Sequence, residues 1–225
     1  MTLCYSRFIW IFILFSTVCS AQVDLYLQPE ISINYTPLNR WSFNFGVGNR
    51  TLVVQDGVDK WKAQHLEFTH FTSYESGFYS KISLGLKYRN RDWFDPARGD
   101  EYRITQQYSH ARSYNSLRVS HRIRFEQRLY THETVYRARY RIGIDTPLQG
   151  LALNTGEFYG SLTTEILYSI SHNARPELDQ RITTSLGNQI MDGLKLQLGL
   201  EYRFENHIHE NSQRILLTTA AIYKI

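Results

Sequence analysis

Arginine recurs at spacings of two or four positions in two consecutive segments of the chain, with large apolar residues between. The first segment contains Arg118, Arg122 and Arg124, and the second contains Arg137, Arg139 and Arg141. If each segment is extended, its guanidinium groups lie on one face, because side chains alternate sides along a strand. Such rows could hold an anionic ligand or form an anion-selective constriction. They could instead pair with carboxylates on the same side, and we expect this second arrangement because Glu126, Glu165 and Glu201 are available there.

Two polar stretches contain residues that could bind a metal ion. The stretch "ENHIHE" supplies Glu205, His207, His209 and Glu210, and the two histidines share a face if the chain is extended. The stretch "RDWFDPARGD" supplies Asp92, Asp95 and Asp100, which could contact cations that bridge lipopolysaccharide. A solvated loop explains both stretches equally well, because Asp and Gly are ordinary turn formers. We therefore predict no metal site and no cofactor.

Nucleophilic catalysis would need a serine, a histidine and an acid that converge in space. Ser169 and Ser171 precede His172, but neighbours in sequence do not form a triad. The motifs of barrel lipases and omptin-like proteases are not found in the chain. We predict no catalytic residue, and a lipid-modifying or proteolytic barrel enzyme remains the alternative.

The elements that position these residues follow a period of two. In "LKLQLGLEYRF", Leu194, Leu196, Leu198, Leu200, Tyr202 and Phe204 share one side, and polar residues or glycine share the other. This pattern predicts a strand, and its length suits a tilted strand that crosses a bilayer. Similar segments cover 24–35, 41–54, 61–73, 78–90, 100–110, 116–130, 134–145, 157–170, 178–189, 194–206 and 212–225.

The connections between these segments alternate in length. Compact turns are predicted at 36–40, 74–77 and 191–193, and longer polar loops at "DGVDK", "NRDWFDPARGD", "SHNARPE" and "ENHIHEN". Aromatic residues collect at segment ends: Trp41, Phe78 and Phe158 beside the short turns, and Tyr88, Tyr102, Tyr168 and Tyr202 towards the long loops. Both features are typical of outer-membrane barrels.

The charged face of these segments decides between a membrane protein and a soluble one. A soluble sandwich or lipocalin-like barrel would bury the apolar rows and leave the charges in water. Here the charged face mixes Arg with Glu, which an enclosed interior requires because a lone buried charge is costly. We predict an all-β fold, a closed antiparallel transmembrane β-barrel of 10–12 strands in an up-and-down meander. The segment at 22–35 could be an extra strand at the seam or could lie inside the barrel.

The N-terminus is typical of a Sec-type signal peptide. Arg7 precedes the apolar run "FIWIFILFSTV", and "CSA" ends at Ala21. We predict cleavage after residue 21, which leaves residues 22–225 as one barrel domain; a retained anchor is the alternative. Cys4 and Cys19 both lie in the leader, so the mature chain would contain no thiol. The formal charge of +4 is spread along the chain and indicates no nucleic-acid partner.

Several stretches together resemble the DUF2490 family. They are "DLYLQPEISINYTPLNRWSFNF", "SLRVSHRIRFEQRLY", "VYRARYRIGIDTPL" and "LKLQLGLEYRFE". The resemblance implies an uncharacterised β-barrel of the outer membrane of Gram-negative bacteria, largely Bacteroidetes, without an assigned activity or functional residues. The final "AAIYKI", with Tyr223 and terminal Ile225, resembles the signal read by the barrel-assembly machinery.

Three functions follow as hypotheses from this sequence. We expect a non-enzymatic outer-membrane barrel with a structural, interaction or narrow-passage role and an Arg- and Glu-filled lumen. Its partners would be outer-membrane lipid, lipopolysaccharide and the barrel-assembly machinery, and its oligomeric state is left open. The alternatives are the barrel enzyme named above and a small-solute pore.

Overall fold

A computed structural model describes residues 23–91, 93–95, 97, 99–172, 174–206 and 212–225 of the protein. The strands are β1 (Asp24–Leu38), β2 (Trp41–Gln55), β3 (Val58–Gly77), β4 (Ser80–Asn90), β5 (Glu101–Tyr114), β6 (Leu117–Leu129), β7 (Thr134–Pro147), β8 (Phe158–Ser171), β9 (Glu177–Met191), β10 (Leu194–Glu205) and β11 (Ser212–Lys224). In this part of the chain, no helix is long and apolar enough to span a membrane. The predicted leader, residues 1–21, lies outside the described residues.

The eleven strands close into a single barrel. Each strand pairs antiparallel with the next one along the chain, as the predicted meander requires. The seam differs from the predicted antiparallel closure, because β1 pairs parallel with β11 from Asp24 beside Arg214 to Asn34 beside Lys224. An odd number of strands in a meander makes the first and last strands run in the same direction. Residues 24–35 of the predicted segment therefore belong to a wall strand at the seam.

The two ends of the barrel differ in the length of their connections. One end, called here the short-turn end, carries the connections at 39–40, 78–79, 115–116 and 192–193 and the C-terminal Ile225. The opposite end, called the long-loop end, carries the connections between β4 and β5, β6 and β7, β8 and β9, and β10 and β11. Two connections break the predicted pattern. "DGVDK" is a tight turn because Asp56 and Gly57 both adopt positive φ, at 51° and 76°, and the short-turn end also carries a longer loop at 148–157.

The wall is apolar outside and polar inside. In β10, Leu198 is 53% exposed on the outer face, whereas its neighbours Gly199 and Glu201 are buried. The buried hydrophobic side chains of the described residues are only Leu52, Leu167 and Leu216, whereas the buried polar set includes four arginines, five glutamates and one aspartate. Neither a sandwich with a dry core nor a lipocalin-like apolar cavity fits this arrangement.

Aromatic side chains border the apolar band at both ends. At the short-turn end the Trp41 and Tyr74 rings lie 5.0 Å apart between centroids. At the long-loop end the Tyr88 and Tyr102 rings also lie 5.0 Å apart. These pairs stand where the sequence predicts aromatic belts.

One glycine shows how the interior makes room for a large side chain. Gly85 in β4 faces Phe71 in β3 across the strand pair, and the Phe71 ring lies over it. A Cβ atom at Gly85 would come within 2.2 Å of that ring. The glycine is therefore required by the close approach of the ring, and it lets the ring pack flat on the wall.

Candidate functional site in the barrel interior

The interior is organised by carboxylates that lie beside arginines on neighbouring strands. Strand register places Glu67 opposite Arg89, and Arg89 opposite Glu101, across β3, β4 and β5. Along β5, Glu101 and Arg103 are two residues apart and therefore face the same side. Alternation within a strand and register between strands thus bring opposite charges together.

Glu101 is the most heavily paired carboxylate of the described residues. It is fully buried, at 0% exposure. Its side-chain oxygens lie 3.1 Å from Arg89, 2.6 Å from Arg91, 2.5 Å from Arg103 and 2.8 Å from Arg128. Buried ion pairs persist only when the charges are compensated and hydrogen-bonded, and here one carboxylate receives hydrogen bonds from all four guanidinium groups.

A second centre joins β6, β7 and β8. Arg139 donates to Glu126 at 2.7 Å and also to Glu165. Glu165 in turn accepts from Arg122 and Arg141, each at 3.1 Å. The prediction that the arginine rows pair with Glu126 and Glu165 agrees with this geometry for these three arginines.

The two centres form one network across the wall. Arg89 joins Glu67 to Glu101, since it lies 2.7 Å from the first and 3.1 Å from the second. Arg103 joins Glu101 to Glu126, which lies 3.4 Å away. Because Arg139 continues the path to Glu165, alternating charges connect β3 to β8 without interruption.

Other arginines of the interior have no carboxylate at ion-pairing distance among the described residues. Arg50 donates to Gln28 at 3.0 and 2.7 Å. Arg124 donates to Gln107 and lies with its guanidinium carbon 5.1 Å from the centre of the Phe71 ring. The Nε atom of Arg181 is buried and makes no hydrogen bond to the described residues. Arg124, one of the arginines expected to pair with a glutamate, thus has a neutral partner instead.

Four cavities lie inside the barrel, and three of them have a mainly polar lining. A cavity of about 880 Å³ opens at the long-loop end, and one of about 1130 Å³ opens at the short-turn end. Between them lie an inner cavity of about 400 Å³ and a further cavity of about 410 Å³, called here the central chamber. The inner cavity and the central chamber share a layer of six arginines: Arg50, Arg89, Arg103, Arg139, Arg181 and Arg203.

The remaining charged candidates lie away from the two centres. Arg118 is close to the short-turn mouth, 3.9 Å from Asp145, and is more than half exposed. Arg137 donates to Ser169 at 2.6 Å and lies 3.8 Å from Asp179. Glu201 pairs with Arg203 of its own strand. Glu205 pairs with Arg214 at 2.7 Å.

The loop candidates are not brought together in the described residues. Asp92, His207, His209 and Glu210 lie outside those residues. Asp95 lies 4.0 Å from Lys62, whereas Asp100 accepts a hydrogen bond from the Tyr88 hydroxyl. Within the described part of the chain, no three His, Cys, Asp or Glu side chains are grouped so that they could hold a metal ion.

The serine candidates are used differently from a triad. Ser169 is buried and its hydroxyl accepts from Arg137. No hydrogen bond joins Ser169 or Ser171 to His172 in the described structure. The site thus offers guanidinium and carboxylate groups that pair with one another across neighbouring strands.

Sequence reasoning missed several central residues. Glu67, Arg89, Glu101, Arg103, Arg50 and Arg181 were not singled out, although they form much of the network. The alternation of Glu101, Arg103 and Thr105 in β5 could have indicated them, since all three share the inward face. Which arginine meets which carboxylate depends on strand register, and alternation alone does not give that register.

The fold and its interior define a closed β-barrel with apolar side chains outside and paired charges inside. The chain belongs to the DUF2490 family, described as a protein of unknown function, whose family model matches residues 25–214. A comparison with curated proteins finds no significant match.

Proposed function

We propose that this protein is a non-enzymatic β-barrel of the bacterial outer membrane. Its apolar outer face would contact lipid, and its charged interior would brace the wall while leaving a narrow polar passage. Residues 1–21 would act as a cleaved Sec-type signal peptide. The short-turn end, which carries Ile225, would face the periplasm.

The observation that carries this proposal is the inverted distribution of side chains. Exposed Ile, Leu, Phe and Tyr side chains cover the outer face of the strands, whereas Glu101, Glu126 and Glu165 are almost fully buried. A soluble monomer rarely exposes a contiguous apolar patch larger than about 600 Å². Transmembrane barrels have this outward apolar band with aromatic belts and a polar interior.

The partners follow from the same surfaces. Lipid would cover the outer band, and lipopolysaccharide would surround the long-loop end. The barrel-assembly machinery would insert the chain, with Tyr223 and Ile225 near the C-terminal end of β11 as its recognition residues. The described interior residues form ion pairs between strands, which supports a structural or passage role.

Membrane fractionation and gel mobility test the proposal together. The mature chain should remain in the sarkosyl-insoluble membrane fraction of a Gram-negative host. It should also migrate differently on an SDS gel before and after boiling, because a closed barrel resists SDS. Recovery of the mature chain as a soluble periplasmic monomer would contradict the proposal.

A passage for small solutes is the second candidate function, favoured by the cavities along the axis. The long-loop mouth shares Arg91, Arg128, Arg137 and Glu177 with the inner cavity, which in turn shares six arginines with the central chamber. Planar-bilayer recordings of the purified barrel should then show discrete conductance steps with a preference for anions. A silent bilayer that contains correctly folded barrel would exclude the pore and leave the membrane location intact.

A further inference from the structure

The central chamber has more positive than negative charge. Its lining includes ten cationic side chains, which are Arg50, Lys87, Arg89, Arg103, Arg122, Arg124, Arg139, Arg141, Arg181 and Arg203. It includes four carboxylates: Glu30, Glu67, Glu126 and Glu201. Glu101 and Glu165 do not line the chamber, but they pair with arginines that do. Even when these two carboxylates are counted, the cations exceed the carboxylates by four.

Three of these cations have no carboxylate partner among the described residues. Gln28 and Gln107 hold Arg50 and Arg124 by neutral amide oxygens, which fix their orientation without neutralising their charge. Arg181 has a buried Nε atom without a hydrogen bond in the described structure. It lies between Arg203 and Glu165 in the strand register, and its guanidinium makes no ion pair with Glu165 in the described structure, where Glu165 pairs with Arg122, Arg139 and Arg141. The three side chains come from β2, β6 and β9, so they approach the chamber from different parts of the wall.

An enclosed guanidinium without a counter-charge is costly, and a bound anion would remove that cost. Guanidinium groups match oxyanions well, because their N–H donors form charge-assisted and often bidentate hydrogen bonds. The chamber volume of about 410 Å³ is sufficient for a small polyatomic anion.

We propose that the central chamber binds a small oxyanion, such as inorganic phosphate, through Arg50, Arg124 and Arg181. The negative charge of the anion offsets part of the excess positive charge that the carboxylates of the chamber do not neutralise. This site depends on the folded barrel and is independent of where the barrel resides, so it stands or falls separately from the outer-membrane proposal.

Isothermal titration calorimetry on the folded, detergent-solubilised mature chain tests the site. Inorganic phosphate should bind saturably with one site per barrel at neutral pH and fixed ionic strength. Arg124→Gln and Arg181→Gln should each weaken phosphate binding about tenfold, the effect of one charged hydrogen bond. Arg118→Gln is the matched control, because Arg118 is an inward arginine at the short-turn mouth outside the chamber, and it should leave the affinity unchanged.

A second readout separates binding from folding. Without phosphate, Arg124→Gln should leave the barrel heat-modifiable and at least as stable as the wild type, because it removes an uncompensated positive charge. Phosphate should raise the unfolding midpoint of the wild type, and at the same concentration it should raise that of the Arg124→Gln variant less, because stabilisation follows affinity. Loss of the folded band in both variants would instead show that these arginines support the wall, and it would overturn the proposal.

Competition identifies the source of the oxyanion. Micelles that contain phosphatidylglycerol should not displace inorganic phosphate if the ligand is a free anion, and they should displace it if the ligand is a lipid headgroup. Either result supports an oxyanion site. Two results would show only a diffuse counterion atmosphere and would overturn the proposal. One is a heat of phosphate binding that does not saturate, and the other is a loss of affinity in Arg118→Gln as large as that in Arg124→Gln and Arg181→Gln.

Discussion

At the scale of single residues, the stability of the interior depends on carboxylates shared among several arginines. Glu101 is the clearest case, since four guanidinium groups lie within 3.1 Å of its oxygens. Removing the charge of such a group leaves its partners buried and mutually repelling. The sequence pattern shows the rows of arginines, but it does not show that several arginines share each glutamate and that the network therefore depends on it.

Glu101→Gln should destabilise the folded barrel by about 3–5 kcal/mol, the usual cost of breaking a buried ion pair. Urea titration in detergent micelles, followed by heat-modifiable gel mobility, measures the change. Glu75→Gln is the control, because Glu75 is nearly half exposed and its one ion pair among the described residues is with Lys81, at 2.9 Å. The control should cost less than about 1 kcal/mol. Equal losses in the two variants would argue against a special role for Glu101.

At the scale of strands, the sequence predicted the strands and a closed barrel, but it did not predict which strands pair at the seam. The alternation of Leu194 to Phe204 predicted β10 and its outward face, and the structure confirms both. The same alternation in 24–35 could not say which strand would accept β1, because pairing is a long-range choice that the pattern does not encode. The sequence also could not predict that Arg122, Arg139 and Arg141 all donate to Glu165, because these contacts depend on the strand register and on the side-chain rotamers.

Close packing between neighbouring strands gives a prediction at this scale. Gly85→Ala should destabilise the barrel by about 1–3 kcal/mol, because the new methyl group would overlap the Phe71 ring. Gly46→Ala is a matched inward control, since its Cβ would meet its nearest neighbour at 3.5 Å, an ordinary contact. Chemical unfolding of both variants checks the difference. If Phe71→Leu fails to relieve the Gly85→Ala defect, the ring contact is not its cause.

At the scale of the whole molecule, the parallel pairing of β1 with β11 is the feature that departs from the predicted antiparallel closure. Ser32 in β1 lies beside Ile222 in β11. In the chain from residue 22 onward, which contains no cysteine, Ser32→Cys with Ile222→Cys should form a disulfide in the folded barrel.

A register control accompanies the seam experiment. Thr218 lies beside Gln28, so Ser32→Cys with Thr218→Cys separates the thiols by about 13 Å along the strand. This pair should remain reduced under the same oxidation. Cross-linking of the control pair and not of the Ser32 and Ile222 pair would show a different seam.

Lipid contact of the outer band gives a further prediction for the whole barrel. Leu198→Arg should cost about 2–4 kcal/mol in vesicles, because it places a charge near the middle of the lipid-facing band. Phe78→Arg, at a fully exposed turn position of the short-turn end, should cost about 0–1 kcal/mol. If the outer face met water, both substitutions would be nearly silent, since both side chains are already exposed.

The inside-out arrangement is tested most directly by a cysteine and spin-label scan along β10, from Leu194 to Glu205, in reconstituted vesicles. Labels at Leu196, Leu198 and Leu200 should collide readily with lipid-dissolved oxygen, whereas labels at Gln197, Gly199 and Glu201 should not. This period-two contrast is the predicted result. Oxygen access that is uniform along the strand, or that is greater at the polar positions, would contradict a barrel with lipid outside and paired charges within.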